Sequence, residues 1–80
     1  MSESAADEKL KEIFAEVLRL DRVNSDDIFL DLGGDSLSAI LCISRIRAAF
    51  GVELFIEDFF SDDSTPKHLG SLIEKERQIT

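Results

Sequence analysis

Ser36 is the residue whose setting in the sequence points most directly to chemistry. It follows two glycines and an aspartate in the segment Leu32-Gly33-Gly34-Asp35-Ser36-Leu37. The glycines make a turn without side chains, and Asp35 or Ser36 can cap a helix that begins there. A hydroxyl at such a helix start is accessible to another protein's active site, and backbone N–H groups would favour a phosphate esterified to it. The same residues are also typical of an ordinary loop-to-helix junction. The choice between a modified serine and a simple helix cap therefore depends on the neighbouring elements.

A first helix and a long loop lead the chain to this serine. An apolar stripe predicts a helix that starts near a cap formed by Ser4 and Asp7 and ends near Leu20. The stripe consists of Leu10, Ile13, Phe14, Val17 and Leu18. Residues 21–35 then form a long connection, which a compact domain must anchor. We expect its apolar residues to pin it onto the core: Ile28, Phe29, Leu30 and Leu32.

The second predicted helix, residues 36–50, begins at the serine and ends before Gly51, a residue that favours a helix stop. On a helical wheel, one set of its apolar residues clusters within an arc of about 60° and is the natural core face. That set is Ala39, Ile43, Ile46 and Phe50. A second set lies on the flank beside the core face: Leu37, Ile40, Leu41, Ser44 and Ala48. So wide an apolar arc is typical of a central helix or of one that offers its flank to a partner.

The remaining chain predicts a short helix and a third main helix. An extended lead-in precedes the short helix at about residues 56–60, because one isolated strand would have no partner. Thr65 then serves as the N-cap and Pro66 as the first residue of the last helix, whose end frays. The sequence therefore predicts an all-α fold, a small four-helix bundle of three main helices and one short helix with a long first loop. We expect one domain over residues 1–80, ordered from about 7 to 76.

The composition excludes several classes of function. The 80 residues carry 17 acidic and 9 basic side chains, a net charge of −8. So short a chain leaves little room for an autonomous active site, and its acidity disfavours binding to nucleic acid or to anionic membranes. The acidity favours partners with basic surfaces. The single cysteine cannot form an internal disulfide, and no cysteine pair is present for a metal site. Since the sequence shows no signal peptide and no membrane-spanning run, we expect a cytoplasmic protein. We also expect a monomer.

The segment around Ser36 resembles the phosphopantetheine attachment motif of acyl carrier and peptidyl carrier proteins. In that family, Leu-Gly-Gly-(Asp/His)-Ser-Leu lies between a long loop and the second helix of a small four-helix bundle. Residues 45–54 look like the end of that helix and the turn after it. Phe59-Phe60 resembles the family's third helix, and Ser64-Thr65-Pro66 resembles its fourth-helix cap. The resemblance covers roughly residues 10–73, nearly the whole domain.

The resemblance implies a carrier protein and not an enzyme. A phosphopantetheinyl transferase would move 4'-phosphopantetheine from coenzyme A onto the Ser36 hydroxyl. The neighbouring motif residues would complete the site that the transferase recognises: Gly33, Gly34, Asp35 and Leu37. The thiol of the arm would hold an acyl, aminoacyl or peptidyl group as a thioester. A loading enzyme and the downstream synthase or condensing enzymes would then meet the tethered cargo.

The resemblance also implies that the flank of the second helix meets the partner enzymes, through Leu37, Ile40, Leu41, Ser44 and Ala48. The alternative is that Leu37 and Leu41 complete the core or pack under the long loop. This helix lacks the many carboxylates of the fatty-acid-synthesis type and carries Arg45 and Arg47 instead. That departure favours peptidyl-carrier or polyketide-type relatives, while fatty acid, polyketide and non-ribosomal peptide pathways all stay open. Met1 and the short tails favour a freestanding carrier over an excised domain.

Two other interpretations compete with the carrier. Gly34-Asp35-Ser36-Leu37 also spells the signature of a serine esterase family, but the one histidine, His68, lacks that family's aspartate three residues earlier. The stronger rival is an unmodified acidic helical interaction module, or a degenerate carrier, in which Ser36 is only a cap. We also expect Cys42 to be a partly buried apolar residue off the core face. The phenylalanines in and just before the short helix are expected in the core and not in a ligand cage: Phe55, Phe59 and Phe60.

Overall fold

Three α-helices and two short 3-10 helices make up the fold. The computed structural model describes residues 5–79, and every regular element in that range is helical. The α-helices run over Ala5–Leu18 (α1), Ser36–Phe50 (α2) and Pro66–Ile79 (α3). The 3-10 helices lie in the connections, at Leu30–Leu32 and Ile56–Phe59. The predicted all-α bundle of three main helices and one short helix is confirmed, and the 3-10 helix in the first loop is an addition to it.

Three phenylalanine rings form the centre of the core. Phe14 comes from α1, Phe29 from the long loop and Phe59 from the second 3-10 helix, and all three are fully buried. Their ring centroids lie between 5.1 and 6.2 Å apart, and Phe29 makes edge-on contacts with both of the other rings. Such pairs contribute about 0.5–1.5 kcal/mol each beyond the burial of their area. The rings therefore fasten both connecting segments to α1.

The long loop is anchored at several points, as the sequence predicts. Besides the buried Phe29 ring, the Phe29 backbone N–H donates a hydrogen bond of 2.9 Å to the carbonyl oxygen of Ser64. The Ser25 hydroxyl donates to the buried carboxylate of Asp7 in α1, with oxygen–oxygen distances of 3.0 and 3.1 Å. Leu30 is the exception among the expected anchors, because it stays 43% exposed. The chain thus reaches Ser36 from a fixed direction.

The core face of α2 differs from the predicted one. Ala39 and Ile46 are fully buried as expected, but Ile43 and Phe50 are only half-buried. Cys42, placed off the core face by the sequence, is fully buried. Because α2 is apolar over a wide arc, several faces could serve as the core, and the packing selects the one that contains positions 39, 42 and 46. The predicted core face is therefore wrong in part, because Cys42 belongs to it and Ile43 and Phe50 are only half-buried.

α1 begins near the predicted residue, and it ends earlier than predicted. The helix ends at Leu18 and not near Leu20, because Arg19 adopts a left-handed backbone with a φ of 59°. The predicted cap at Ser4 lies outside the described residues. Leu10, Ile13 and Phe14 of the predicted stripe are buried. The last two members of the stripe are only partly buried.

α3 begins at the predicted residue. The hydroxyl of Thr65 accepts a hydrogen bond of 3.1 Å from the backbone N–H of His68, so Thr65 caps the helix and Pro66 is its first residue. The helix continues to Ile79, and the fraying of its end stays a prediction. His68 itself is exposed in the first turn. None of the described helices is long and apolar enough to cross a membrane.

Only one of the three phenylalanines of the second connection lies in the core. Phe59 is fully buried, whereas Phe55 is 70% exposed and Phe60 is 38% exposed. The expectation that all three belong to the core is wrong. Phe59 is the one fully buried residue of this short helix, Ile56 is partly buried against the core, and Phe55 and Phe60 lie immediately outside the two ends of the helix.

Candidate functional site

Ser36 is the first residue of α2, and its side chain is exposed. The chain arrives there from the first 3-10 helix through Gly33, whose backbone is left-handed with a φ of +95°. A residue with a side chain is strained in that conformation, and a Cβ at this position would meet nothing within 4 Å. The turn before Ser36 is therefore both sharp and open to solvent, as the two glycines predict.

Gly34 has a different role from that of Gly33. Its backbone N–H donates a hydrogen bond of 3.1 Å to the carbonyl oxygen of Phe29. A Cβ at position 34 would lie 2.5 Å from Cδ2 and 2.6 Å from Cζ of the Phe29 ring, closer than any real contact. The second glycine therefore lets the turn pass directly over a core ring. Sequence reasoning did not connect these two residues, and nothing in their spacing indicates the contact.

Asp35 and Ser38 cap the start of α2 in a reciprocal pair. The Ser38 backbone N–H donates to the Asp35 carboxylate at 2.9 Å, and the Asp35 backbone N–H donates to the Ser38 hydroxyl at 2.8 Å. The N–H and hydroxyl donors of Ser38 hold the pKa of the Asp35 carboxyl below its usual range. The cap is thus Asp35 and not Ser36. A polar residue three positions after a capping residue is the sequence signal that could have identified Ser38.

The capping pair leaves the Ser36 hydroxyl available. Among the described residues, no group hydrogen-bonds with the Ser36 Oγ atom. Within the described range, no base therefore lies within hydrogen-bond distance of this hydroxyl, as the nucleophile of an esterase would need. The arrangement suits a hydroxyl that another protein modifies.

The flank of α2 beside Ser36 is an exposed apolar surface. Leu37 is 67% exposed, Ile40 54% and Leu41 46%, and the smaller residues Ser44 and Ala48 are exposed as well. We call these five residues the α2 patch. The alternative that Leu37 and Leu41 complete the core is excluded by their exposure. Large apolar side chains left in water on one helix face are typical of a surface that binds another protein.

The Cys42 thiol is buried and unreactive near neutral pH. It lies on the buried side of α2, and burial raises the pKa of its thiol to about 12, with Arg45 opposing that shift weakly. Because the thiolate is the reactive form, this thiol is protected near neutral pH. Within the described part of the chain, no group of three or more metal-ligating side chains is positioned to hold an ion.

Comparisons with known proteins agree with this geometry. The family model described as "Phosphopantetheine attachment site" matches residues 8–73. The chain is 44% identical over 73 residues, 91% of its length, to the probable nonribosomal peptide synthetase CymA from Salinispora arenicola, and it spans 1% of that protein.

Two solved structures are similar as well. A peptidyl carrier protein bound to the phosphopantetheine transferase Sfp and coenzyme A has a TM-score of 0.85 and 27% identity, covering 92% of this chain and 95% of that one.

The second structure is that of an active-site mutant peptidyl carrier protein, with a TM-score of 0.86 and 26% identity, covering 95% of this chain and 83% of the other. The fold is therefore that of a small helical carrier domain. The chain belongs to the phosphopantetheine attachment site family of carrier proteins. As a member of that family it is a non-catalytic tether, and its cofactor is 4'-phosphopantetheine.

The residues at the start of α2 fit this cofactor. A phosphodiester at Ser36 needs a hydroxyl that points to solvent and space for the arm, and the bare turn at Gly33 provides that space. The start of an α-helix favours a phosphate, because its backbone N–H groups and dipole are positive there. The Asp35 carboxylate beside it accepts hydrogen bonds from the backbone N–H and the hydroxyl of Ser38.

Proposed function

We propose that Ser36 is the attachment residue and that the chain carries aminoacyl or peptidyl groups in non-ribosomal peptide synthesis. The observation that carries this proposal is the Ser36 hydroxyl, which is exposed, makes no hydrogen bond within the described residues and directly follows the capping residue of α2. The chain that presents it belongs to the phosphopantetheine attachment family. The identity to part of a nonribosomal peptide synthetase and the likeness to peptidyl carrier proteins support the choice of pathway.

The residues around Ser36 have separate tasks in this proposal. Asp35 fixes the helix start, so that the Ser36 hydroxyl is presented in one position. Gly33 keeps the approach to Ser36 open, and Gly34 lets the turn lie against Phe29. Leu37, next to the serine and 67% exposed, is the first contact that a modifying enzyme would meet. A phosphopantetheinyl transferase that uses coenzyme A is the partner for this step, as in the similar complex.

The bound cofactor would supply a terminal thiol, which can hold a carboxylic acid as a thioester. The chain itself contributes a second, inert thiol at Cys42, so cargo would be loaded at one place only. The folded domain tethers that cargo and raises its effective concentration at each partner enzyme. The loading and condensing enzymes are the further partners that this proposal requires.

The type of cargo can be tested by loading. The phosphopantetheinylated chain is offered aminoacyl adenylates by stand-alone adenylation enzymes of non-ribosomal pathways, and malonyl or fatty acyl groups by the corresponding acyl transferases. We expect a mass increase by an amino acid with at least one adenylation enzyme, and no increase in Ser36→Ala. Efficient loading with malonyl groups alone would contradict the choice of pathway and would favour a polyketide or fatty acid carrier.

We further propose that the α2 patch is the surface that meets the partner enzymes. The rate of phosphopantetheinylation in Leu37→Ser and in Leu41→Ser is compared with that in Ala49→Ser, an exposed control on the same helix but outside the patch. Since Leu37 and Leu41 are exposed, the substitutions should leave the fold intact. We expect kcat/KM to fall by about tenfold or more only in the patch variants, as for a buried contact in an interface. Equal rates in all three would refute the role of the patch.

Several sequence-based interpretations stay predictions. They are the single domain over residues 1–80, the monomeric state and the cytoplasmic location. Polyketide and fatty acid pathways remain the alternatives that the loading experiment addresses.

A further inference from the structure

Phe55 is the most exposed of the large apolar side chains among the described residues, at 70%. Its backbone is held firmly. The Phe55 N–H donates a hydrogen bond of 3.0 Å to the Asp58 carboxylate, and the Asp58 N–H donates one of 2.9 Å to the Phe55 carbonyl oxygen. These two bonds cap the second 3-10 helix. The ring therefore stands in solvent at a defined place.

The exposed ring forms one side of a groove between the second 3-10 helix and α3. The groove has a volume of about 220 Å³. Its apolar part comes from Leu54, which is buried, from Phe55, and from the half-buried Leu72 of α3. Its charged part comes from Glu53, Asp58, Lys75 and Glu76. We call these seven residues the Phe55 groove.

The Phe55 groove is separate from the site at Ser36. It shares no residue with the α2 patch. The Arg77 guanidinium of α3 lies 5.7 Å from the centre of the Phe50 ring, so the second half of α3 lies against the last turn of α2. Ser36 is at the first turn of α2, about 21 Å away along a helix of this length. The groove thus lies toward the opposite end of α2 from the attachment serine.

The shape and charge of the groove indicate what would fill it. Typical small-molecule sites enclose roughly 300–1,000 Å³, so a groove of about 220 Å³ suits an apolar side chain of a larger partner. Three carboxylates against one ammonium group make the groove acidic, and an acidic rim around an apolar centre favours a partner with the opposite charge. A groove beside a helix is a common receptor for an amphipathic helix.

We propose that the Phe55 groove is a second docking surface, which takes a basic amphipathic helix of a partner protein. The partner's apolar side chain packs on Phe55 and Leu72, and its Lys or Arg residues face Glu53 and Glu76. A partner held there would leave Ser36 and the α2 patch accessible to another enzyme. The proposal goes beyond the carrier function and does not depend on modification of Ser36.

The test uses the full chain without its cofactor, labelled with 15N. Two synthetic helical peptides serve as probes: one carries a leucine stripe flanked by lysines, and the other has glutamates in place of the lysines. Amide chemical shifts are followed while each peptide is added. We expect saturable shifts with the lysine peptide at Leu54, Phe55 and Leu72, and no binding of the glutamate peptide. Phe55→Ser should weaken binding by about tenfold or more.

Leu37→Ser is the matched control, because Leu37 is nearly as exposed as Phe55 but belongs to the α2 patch. It should leave the dissociation constant within about twofold of the original value. The double substitution of Glu53→Gln and Glu76→Gln should weaken binding and reduce its dependence on salt. Shifts confined to the α2 patch, equal binding of both peptides, an unchanged affinity in Phe55→Ser, or no saturable binding at all would each overturn the proposal. None of these results bears on the labelling of Ser36, so the two proposals fail separately.

Discussion

The contact between Gly34 and Phe29 makes a quantitative prediction about the turn that presents Ser36. In Gly34→Ala the new methyl group would overlap the Phe29 ring, which is fully buried between Phe14 and Phe59 and has little room to move. Overpacking of this kind costs about 1–3 kcal/mol. A domain of 80 residues has roughly 4–12 kcal/mol of stability in all. At a urea dependence of about 1–2 kcal/mol per M, the unfolding midpoint should fall by roughly 0.5–3 M.

The assay is urea unfolding of the cofactor-free chain, monitored by helical circular dichroism, in a double-mutant cycle. Phe29→Leu removes the atoms that the new methyl group would touch. Gly34→Ala should therefore cost less in the Phe29→Leu background than in the original chain, with a coupling energy of about 1 kcal/mol. Gly33→Ala is the control, because its cost comes from the left-handed backbone and should be the same in both backgrounds. Additive effects of Gly34→Ala and Phe29→Leu would refute the assigned contact.

Three further predictions concern α2. Ile46→Ala should cost about 2–5 kcal/mol of unfolding free energy, while Ile43→Ala should cost clearly less because Ile43 is only half-buried; the reverse order in urea unfolding would contradict the observed core face. The lowered pKa of Asp35 implies a contribution to stability that is fully present above the pKa of the unfolded chain, about 3.9. This contribution is lost as the pH falls through the lower pKa of the folded chain. The urea midpoint should therefore fall more steeply below about pH 4 in the original chain than in Asp35→Asn. Cys42 should resist iodoacetamide at pH 8 in the folded chain and react after unfolding in urea, as followed by intact mass; rapid native labelling would contradict its burial.

Much of the site can be read from the sequence because its signals are local. Two glycines, a capping residue and the following apolar run predict the start of α2 at Ser36, and Gly51 predicts its end at Phe50. Thr65 and Pro66 likewise predict the start of α3. Each of these signals depends on backbone hydrogen bonds and dihedral angles within a few residues, which the residue types themselves determine.

The parts that sequence reasoning missed depend on how side chains pack in three dimensions, which the order of residue types along the chain does not determine. Cys42 and not Ile43 lies inside because several faces of α2 are apolar enough to be buried, and only the neighbouring elements select among them. The need for glycine at position 34 comes from the Phe29 ring, which reaches the turn from the far side of the first 3-10 helix. Phe55 is exposed because it lies just before the second 3-10 helix, whose inward residues are Phe59 and, in part, Ile56.

The most direct test of the carrier function is the intact mass of the chain after incubation with coenzyme A and a phosphopantetheinyl transferase of broad specificity. Ser36→Ala and Ser44→Ala are treated in parallel, since Ser44 is an exposed serine of the same helix. Because Asp35 and not Ser36 caps α2, Ser36→Ala should stay folded, with a stability within about 0.5 kcal/mol of the original. We predict a gain of one phosphopantetheine in the original chain and in Ser44→Ala, and no gain in Ser36→Ala. An unmodified original chain, in a folded sample with a control carrier modified beside it, would contradict the carrier function and favour an unmodified interaction module.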